Sequence, residues 1–414
     1  AAEVWVNTLA GRIDLPADGG TFSFIPRVSG PFPLFARDAA GGVVVKPMSA
    51  IVRRDRPALD PQAPPALTTV RDGPLDDPAT WGGRLPGPDE TVEVRHTCTY
   101  SGRSFWCGRL INTGAVIVRG GVLHTTDYDD RGVGALALDG RGADKSLVML
   151  HNRPRHANDA EDLWRALKVS GSMVVTGEPA TPWATLAAPA RAGDLTLSLS
   201  SPVTGWKVGH KLVLQDTRQL AWSERPDNSA ARPHREEEVL VVRGVSADGR
   251  TVHLLDPLVY DHRPAIDKAG RAVLWPAVGH LIRNAGVVTS DPTTVETRGC
   301  VLLTGRARID WDHWLIHGTG RTLYGRYGAG NRPGRNPLRL DHVVRPAGGV
   351  RDGAFNWALT NGVTLDPPPV VPLGESRVAW GVVVRDSHHG SFSGNVVLNW
   401  AAAESSIELL AGGV

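Results

Sequence analysis

Alternating apolar and polar positions recur along most of this chain, in short runs bounded by glycine, proline, asparagine or aspartate. Examples are "TFSFIPRV", "GAVIVRGGVLHT", "DLTLSLSS" and "EEVLVVRGV". A two-residue period is typical of β-strands with one buried face, so the pattern predicts an all-β fold. Only Asn158 to Lys168 has apolar residues at helical spacing, which makes it the one predicted helix.

In the last third of the chain the predicted strands recur every 20 residues or slightly more, roughly the length of one coil of a parallel β-helix. We therefore predict a parallel β-helix for this part of the chain. Before residue 70 we place an N-terminal β segment with a proline-rich linker (1–70). The β-helix would stop with unpaired strand edges exposed. This predicts a cap, a continuation or self-assembly there.

Composition narrows the partners of the 414-residue chain. Lys+Arg 45 against Asp+Glu 43 gives a net charge of +2, which does not indicate a nucleic-acid-binding protein. Arginine supplies most of the basic residues, so a bound acidic group would meet planar, bidentate guanidinium groups. No run of 18 apolar residues exists, so no membrane-spanning helix is expected. The start at Ala1-Ala2-Glu3 fits a mature secreted protein and equally a chain trimmed at this end.

Two of the three cysteines are close in sequence. Cys98 and Cys107 lie nine residues apart in "HTCTYSGRSFWCGRL", between strand-like segments, and a hairpin there would allow a disulfide. Two buried thiols are the alternative.

Several motifs resemble one known family. "DDPATWGGRLPGPDETVEV", "GRLINTGAVIVRGGVLHT", "GHLIRNAGVV" and "RGCVLLTGRARIDWDHWLIHGTGRT" resemble the eight-glycine domain and the β-helix of cell-surface hyaluronidases and cell migration-inducing hyaluronan-binding proteins. The resemblance covers about residues 75 to 410. It implies an eight-glycine β domain (71–190), a β module (191–265) and a right-handed parallel β-helix (266–414). It also implies an extracellular role with glycosaminoglycans.

The chain departs from this family where chemistry is expected. Family members commonly read "GRYPLHFH" where this chain has "GRNPLRLD", so Arg339 and Asp341 replace two histidines, with His342 beside them. If those histidines serve metal binding or proton transfer in relatives, this protein lacks part of the set.

One acidic cluster suits hydrolysis or metal binding. In a strand, Asp310 and Asp312 project from the same face, with Cβ atoms about 6.5 to 7 Å apart. Two such carboxyl groups, with His313 beside them, suit acid and base catalysis of glycoside cleavage. They are equally candidate calcium ligands, and the alternative is a solvated face.

Two further polar sets are candidates for substrate binding. In the first set, Arg335, Arg339 and Asp341, the two arginines would hold the carboxylates of an acidic glycan. The alternative is that Arg339 and Asp341 only pair with each other. Arg385 and His388 form the other set. His342 and Glu404 are further candidate metal ligands, although their spacing matches no closed metal-binding motif.

Tryptophan is unusually frequent, with 13 residues against 7 phenylalanines and 5 tyrosines. Flat rings on a β surface stack on sugars, so we include Trp314 among the substrate-binding candidates, while most of the other rings would fill the core. The sequence thus predicts a secreted or cell-surface protein that binds, and in one version depolymerises, an acidic polysaccharide. As an enzyme it would be a hyaluronidase-like glycosidase or a lyase. The alternative is a non-catalytic structural or adhesive protein that assembles through its β-helix.

Overall fold

A computed structural model of the chain shows three long parallel β-sheets that the chain visits in turn. The structure describes residues 3–8, 11–14, 30–31, 34–37, 43–46, 49–50, 57–102, 104–160, 162–218, 236–291, 295–305, 307–321, 335–343, 357–361, 363–366, 382–387, 390–399 and 407–409. Each circuit adds one strand to every sheet, so the fold is a parallel β-helix and the all-β prediction is confirmed.

Sheet A has eight strands: Gly73–Pro74, Thr97–Tyr100, Ala115–Val118, Ala135–Asp139, Ser172–Thr176, Arg308–Asp312, Trp357–Thr360 and Gly390–Ser393. Sheet B has seven: Ser104–Trp106, Gly121–Thr125, Ser146–Leu150, Ala285–Thr289, Trp314–His317, Val363–Asp366 and Val396–Asn399. Sheet C has nine: Leu67–Thr68, Thr91–Val94, Arg109–Asn112, Asp127–Asp129, Ala166–Val169, Cys300–Thr304, Leu338–Asp341, Val382–Arg385 and Ile407–Leu409. The described helices are two short 3-10 turns, Pro78–Trp81 and Val295–Thr297.

The core of the β-helix is built from columns of inward side chains in register. Cys98, Val116 and Leu136 occupy matching positions on successive strands of sheet A, 18 and 20 residues apart. All three are buried in one continuous hydrophobic cluster with the inward residues of sheets B and C. A side chain on each strand therefore packs against the coil above and the coil below.

The structure divides the chain differently from the sequence-based boundaries. Sheet C begins at Leu67, sheet A at Gly73 and sheet B at Ser104. All three begin far before residue 266, the predicted start of the β-helix. The first unit comprises residues 1–178, 283–393 and 397–414, and the second comprises 179–282 with 394–396. The period-two pattern did not place the boundary, because it is the same in parallel and antiparallel strands.

The second unit has its own six-stranded antiparallel sheet and hydrophobic core. Its strands, in sheet order, are Trp183–Thr185, Ala277–His280, Lys211–Leu214, Glu238–Val245, Thr251–Leu254 and Thr196–Ser198. A hairpin pairs Ala265–Ile266 with Ala272–Leu274. Trp206 is buried in this core together with the inward leucines and valines of the sheet.

Short antiparallel strands make up the described part of the N-terminal segment. Four of them form a sheet in the order Gly11–Asp14, Glu3–Thr8, Leu34–Arg37 and Val43–Lys46, and Gly30–Pro31 pairs with Ser49–Ala50.

The predicted proline-rich linker is not a free connection where it is described. The carbonyl oxygen of Pro57 accepts a hydrogen bond from Arg153 at 2.8 Å, and that of Pro61 accepts one from Arg109. Leu67–Thr68 then pairs with Thr91–Val94 of sheet C. These bonds tie the segment to the β-helix.

Two local predictions are wrong. Cys98 and Cys107 are buried free thiols, because the strands that flank them belong to different sheets of the β-helix rather than to a hairpin. The predicted helix from Asn158 to Lys168 is instead a turn followed by the sheet C strand Ala166–Val169. In that turn Asp159 accepts bonds from the amides of Leu163 and Trp164. Aspartate often satisfies backbone groups in such non-helical conformations.

Within the described residues, no helix is long and apolar enough to cross a membrane.

Candidate functional site

The predicted catalytic residues Asp310, Asp312 and His313 lie at one edge of sheet A. In the strand Arg308–Asp312, Trp311 is buried in the core, while Asp310 is exposed on the outer face and Asp312 is half-buried. His313 follows in the left-handed region, at φ 54°, where the chain turns toward sheet B. Its Nδ1 lies 3.0 Å from Oδ1 of Asp312. The edge of the sheet thus pairs an imidazole with a carboxylate.

Asp312 has several polar contacts. Its Oδ1 accepts hydrogen bonds from Nδ2 of Asn361 at 2.9 Å and from Oγ1 of Thr360 at 3.1 Å. Partial burial would raise the pKa of Asp312, but the Asn361 bond and the His313 charge hold it below its ordinary value. Nearby Arg283 is 3% exposed, and burial lowers its pKa to about 10 against the opposing charge of Asp312. An ionised Asp312 suits a base or a cation ligand better than a proton donor.

Trp314 lies wholly inside the β-helix and cannot stack on a glycan. The residue is 0% exposed, and its ring meets that of Trp311 edge to face, with 5.5 Å between centroids. Both rings fill the core between sheets A and B. The prediction that Trp314 binds substrate is therefore wrong, because the inward positions of these strands take the largest apolar side chains.

Arg339, Asp341 and Arg385 lie on sheet C, and His342 begins the turn that follows. Nε and Nη2 of Arg339 each lie 2.9 Å from Oδ2 of Asp341. Nδ1 of His342 is 2.6 Å from Oδ1 of Asp341, and its Nε2 is 3.4 Å from Oδ2 of Asp386. Nε of Arg385 is 3.2 Å from the same oxygen of Asp386. In this turn cluster the cations and carboxylates are paired with one another, as the alternative prediction for Arg339 and Asp341 has it.

Arg335 joins a different group, in the segments that connect sheet B to sheet C. Its Nε donates to Oδ2 of Asp162 at 3.0 Å. Nη2 of Arg321 donates to Oδ1 of Asp162 at 3.2 Å, and Nη2 of Arg165 donates to the same oxygen. Three guanidinium groups therefore share one carboxylate that is 2% exposed. We call Asp162, Arg165, Arg321 and Arg335 the arginine hub.

The arginine hub has an excess of positive charge. Burial would raise the pKa of Asp162, but the charges of Arg321 and Arg165 outweigh it and hold that pKa below its ordinary value. Burial and the charge of Arg321 lower the pKa of Arg165, yet a guanidinium stays protonated at neutral pH. Among the described residues of the hub and neighbouring Asp159 there are three cations and, with Asp159 counted as ionised, two carboxylates. In a low-dielectric region such an excess attracts anions.

A small cleft of about 20 Å³, open to solvent on one side, adjoins the hub through Arg165. Its polar wall includes Arg109, Asp127 and Trp164, and Leu59, Pro61 and Pro154 line its apolar side. We call it the Trp164 cleft.

Two cations hold the Trp164 ring. Cζ of Arg109 lies 4.4 Å from the ring centroid and Nζ of Lys168 lies 3.4 Å from it. Both also contact Asp127, at 3.0 Å from Nε of Arg109 and 3.6 Å from Nζ of Lys168. Both cations also lie near Asp129, at 3.5 Å from Nη2 of Arg109 and 3.6 Å from Nζ of Lys168, so two carboxylates balance the two charges beside the ring.

Sequence reasoning missed the cleft, because it assigned Trp164 to a helix and examined charged residues only near the end of the chain. One signal was available. Arg109, Asp127 and Lys168 alternate with apolar residues on strands that stack in sheet C. Opposite charges repeated on the outer positions of successive coils would have pointed to a polar wall.

The predicted metal sites are not brought together. Asp310 and Asp312 lie on sheet A and His342 follows sheet C, while Glu404 and His388 lie outside the described residues. Within the described ranges no three histidine, cysteine, aspartate or glutamate side chains gather to hold an ion. Calcium binding therefore stays a prediction.

Solved structures similar to this chain include phage tailspikes. The chain matches no protein-family model and no curated protein, so the resemblance to the eight-glycine family stays a prediction. Similar solved structures include the tailspike of Pseudomonas phage phi297 (11% identity, TM-score 0.23, 78% of this chain and 39% of that one). Others are the tailspike of Acinetobacter baumannii bacteriophage AP22 in complex with A. baumannii capsular saccharide (11%, 0.23, 78% and 40%) and that of Pseudomonas phage LKA1 (11%, 0.22, 80% and 42%). The chain spans about two fifths of their length, and at these scores the likeness assigns no ligand to it.

Proposed function

We propose that this protein binds an acidic polysaccharide on its β-helix, with the acidic groups of the glycan held at the Trp164 cleft and the adjoining arginine hub. The observation that carries the proposal is the sharing of one buried carboxylate by three guanidinium groups at the border of an open cleft. Among the described residues the hub carries more positive than negative charge, and a glycan carboxylate or sulfate complements it.

The remaining cleft residues suit the rest of a sugar. Trp164 keeps Arg109 in place, so little side-chain entropy is lost when it meets a polar group of the glycan. Leu59 and Pro154 add apolar surface beside the cleft for the C–H groups of a sugar. Guanidinium groups are weakly hydrated and planar, which favours bidentate contacts with a carboxylate.

Binding to hyaluronan, chondroitin sulfate and alginate, measured by calorimetry, tests the proposal. We expect at least one of them to bind, with affinity that falls as salt rises, because the attraction is ionic. Arg335→Ala removes the most exposed of the three hub cations, and we expect it to weaken binding about tenfold. Arg308→Ala, on the exposed outer face of sheet A, is the matched control. Absence of binding to all three glycans, or equal loss in both variants, would contradict the proposal.

The same incubations measure cleavage through the size of the recovered glycan. If Asp310 and Asp312 are catalytic, the variant with both changed to alanine should no longer shorten the glycan but should still bind it. Hydrolase or lyase activity rests on this result. Secretion and self-assembly stay predictions from the sequence, and beyond Asn399 only Ile407–Leu409 is described.

A further inference from the structure

One carboxylate that lines the Trp164 cleft has an oxygen without a partner. Asp159 is 2% exposed, and its Oδ1 accepts hydrogen bonds from the amides of Leu163 at 2.8 Å and Trp164 at 3.4 Å. Within the part of the chain that the structure describes, its Oδ2 makes no hydrogen bond. A buried carboxylate oxygen in this state costs folding free energy, so its presence beside a cleft points to a ligand.

Arg165, which lines the same cleft, has the complementary feature. Its Nη1 donates to the carbonyl oxygens of Arg153 at 2.9 Å and Glu296 at 3.1 Å, and its Nη2 donates to Asp162. Its Nε is buried and makes no hydrogen bond to any described residue. The charge of Arg165 acts on Asp159, so the two groups are neighbours.

We propose that Asp159 and Arg165 form a subsite for an uncharged group that both donates and accepts a hydrogen bond, such as a sugar hydroxyl or acetamido group. Oδ2 of Asp159 accepts from the ligand, and Nε–H of Arg165 donates to it. A glycan carboxylate is a poor occupant, because an ionised carboxylate only accepts and would face Asp159 with like charge.

This inference rests on the proposed function and narrows its substrate class. Cationic groups for a glycan carboxylate and a subsite for an uncharged group belong to adjoining parts of one site. The matching polymer alternates acidic and uncharged sugars, whereas a polymer of uronic acids alone would place a second carboxylate against Asp159.

The protonation of Asp159 sets the pH dependence of the subsite. Burial raises the pKa of Asp159, the charge of Asp162 acts in the same direction, and the two amide hydrogen bonds and the charge of Arg165 oppose. Arg109, Asp127 and His156 are the other charged or titratable groups that line the cleft. Protonated Asp159 becomes a donor, so acidification removes the acceptor that the hydroxyl or acetamido group requires.

Asp159→Asn tests the subsite, because it replaces Oδ2 with a donor while keeping Oδ1 for the two amides. We expect its affinity for hyaluronan, which alternates acidic and uncharged sugars, to fall about tenfold, and its affinity for alginate, made only of uronic acids, to hold or rise. Asp144→Asn makes the same change of charge at an exposed bend outside the cleft and should alter neither affinity. Circular dichroism checks that each variant is folded.

Two patterns would overturn the inference. If wild type binds hyaluronan and alginate equally and Asp159→Asn changes neither, the subsite is refuted while the proposed function stands. If wild type binds neither glycan, both fail. The pH dependence of hyaluronan binding is a second measurement. On acidification the affinity of the wild type should fall toward that of Asp159→Asn, and the affinity of Asp159→Asn should change much less. A parallel fall in both proteins would also refute the role of Asp159.

Discussion

The outer faces of sheets A and C differ, although both sheets belong to the same β-helix. On sheet A, Arg308 and Asp310 stand exposed between buried Ile309 and Trp311. On sheet C several outward side chains are buried as well, with Arg109 2%, Asp127 3% and Arg339 4% exposed. The exposed residues of sheet A meet solvent directly. On the outer side of sheet C, Arg109 is covered by Pro61 and by the ring of Trp164.

The difference shows what a period of two residues measures. Buried and exposed residues alternate along a strand only where one face of the sheet meets solvent. The strand Arg308–Asp312 of sheet A shows this alternation, and the covered strands of sheet C do not. Charged residues on an open face are paired weakly, each pair contributing about 1 kcal/mol or less. Beneath a covering layer the same residue types must be paired, because breaking a buried pair costs about 3 to 5 kcal/mol.

The largest expected effect is at the arginine hub. Asp162→Ala leaves three guanidinium groups without their shared carboxylate, and we expect the free energy of unfolding to fall by about 4 kcal/mol. Asp310→Ala on sheet A should change it by about 0.5 kcal/mol or less. Urea unfolding followed by fluorescence measures both. Equal midpoints for the two variants would contradict the distinction between the two regions.

A matched pair of arginines gives the next effect. Arg339→Ala removes the guanidinium whose Nε and Nη2 both contact Oδ2 of Asp341 on sheet C, and it should cost about 2 to 3 kcal/mol. Arg308→Ala, on sheet A, should cost about 0.5 kcal/mol or less. The same unfolding experiment checks the pair. A larger loss for Arg308→Ala would mean that the outer face of sheet A is covered in solution.

The smallest effect concerns pH and has opposite signs in the two regions. The lowered pKa of Asp312 stabilises the fold above the unfolded pKa of about 3.9, and this contribution is lost as pH falls through the folded value. The raised pKa of Asp159 costs stability once pH rises past about 3.9 toward its folded value, and the cost persists above it. Asp312→Asn should therefore lower the melting temperature at pH 7, and Asp159→Asn should raise it.

Melting scans at pH 7 and pH 3 check both signs, since the two differences from wild type should shrink in acid. A lower melting temperature for Asp159→Asn at pH 7 would show that its carboxylate is stabilised by a partner.

The sequence predicts the parts of this fold that depend on neighbouring residues. The alternation in "RARIDWDHW" places Trp311 inside and Asp310 outside, as the structure has them. The recurrence of strands at the length of one coil predicts a β-helix, although its predicted start is residue 266 and the observed start is Leu67. Trp314 was misassigned because the turn at His313 resets the alternation, so that the next residue points inward again.

The candidate site depends on residues that are distant in sequence, which explains why it was missed. Asp162 meets Arg321 and Arg335 only after further coils have been laid down. The spacing of residues within one strand or turn does not predict a contact between residues so far apart in the sequence. Arg335 was singled out for binding a carboxylate, and the structure gives it one from the protein itself.

The second unit interrupts one coil of the β-helix, between the strand Ser172–Thr176 of sheet A and the strand Ala285–Thr289 of sheet B. Ser146–Leu150 therefore has no neighbour on one side until more than a hundred further residues have been made. At ribosomal rates this takes on the order of 5 to 20 seconds. During synthesis the backbone groups at this edge of Ser146–Leu150 therefore stay unpaired until Ala285–Thr289 is made. Binding of a chaperone would cover this edge in the meantime.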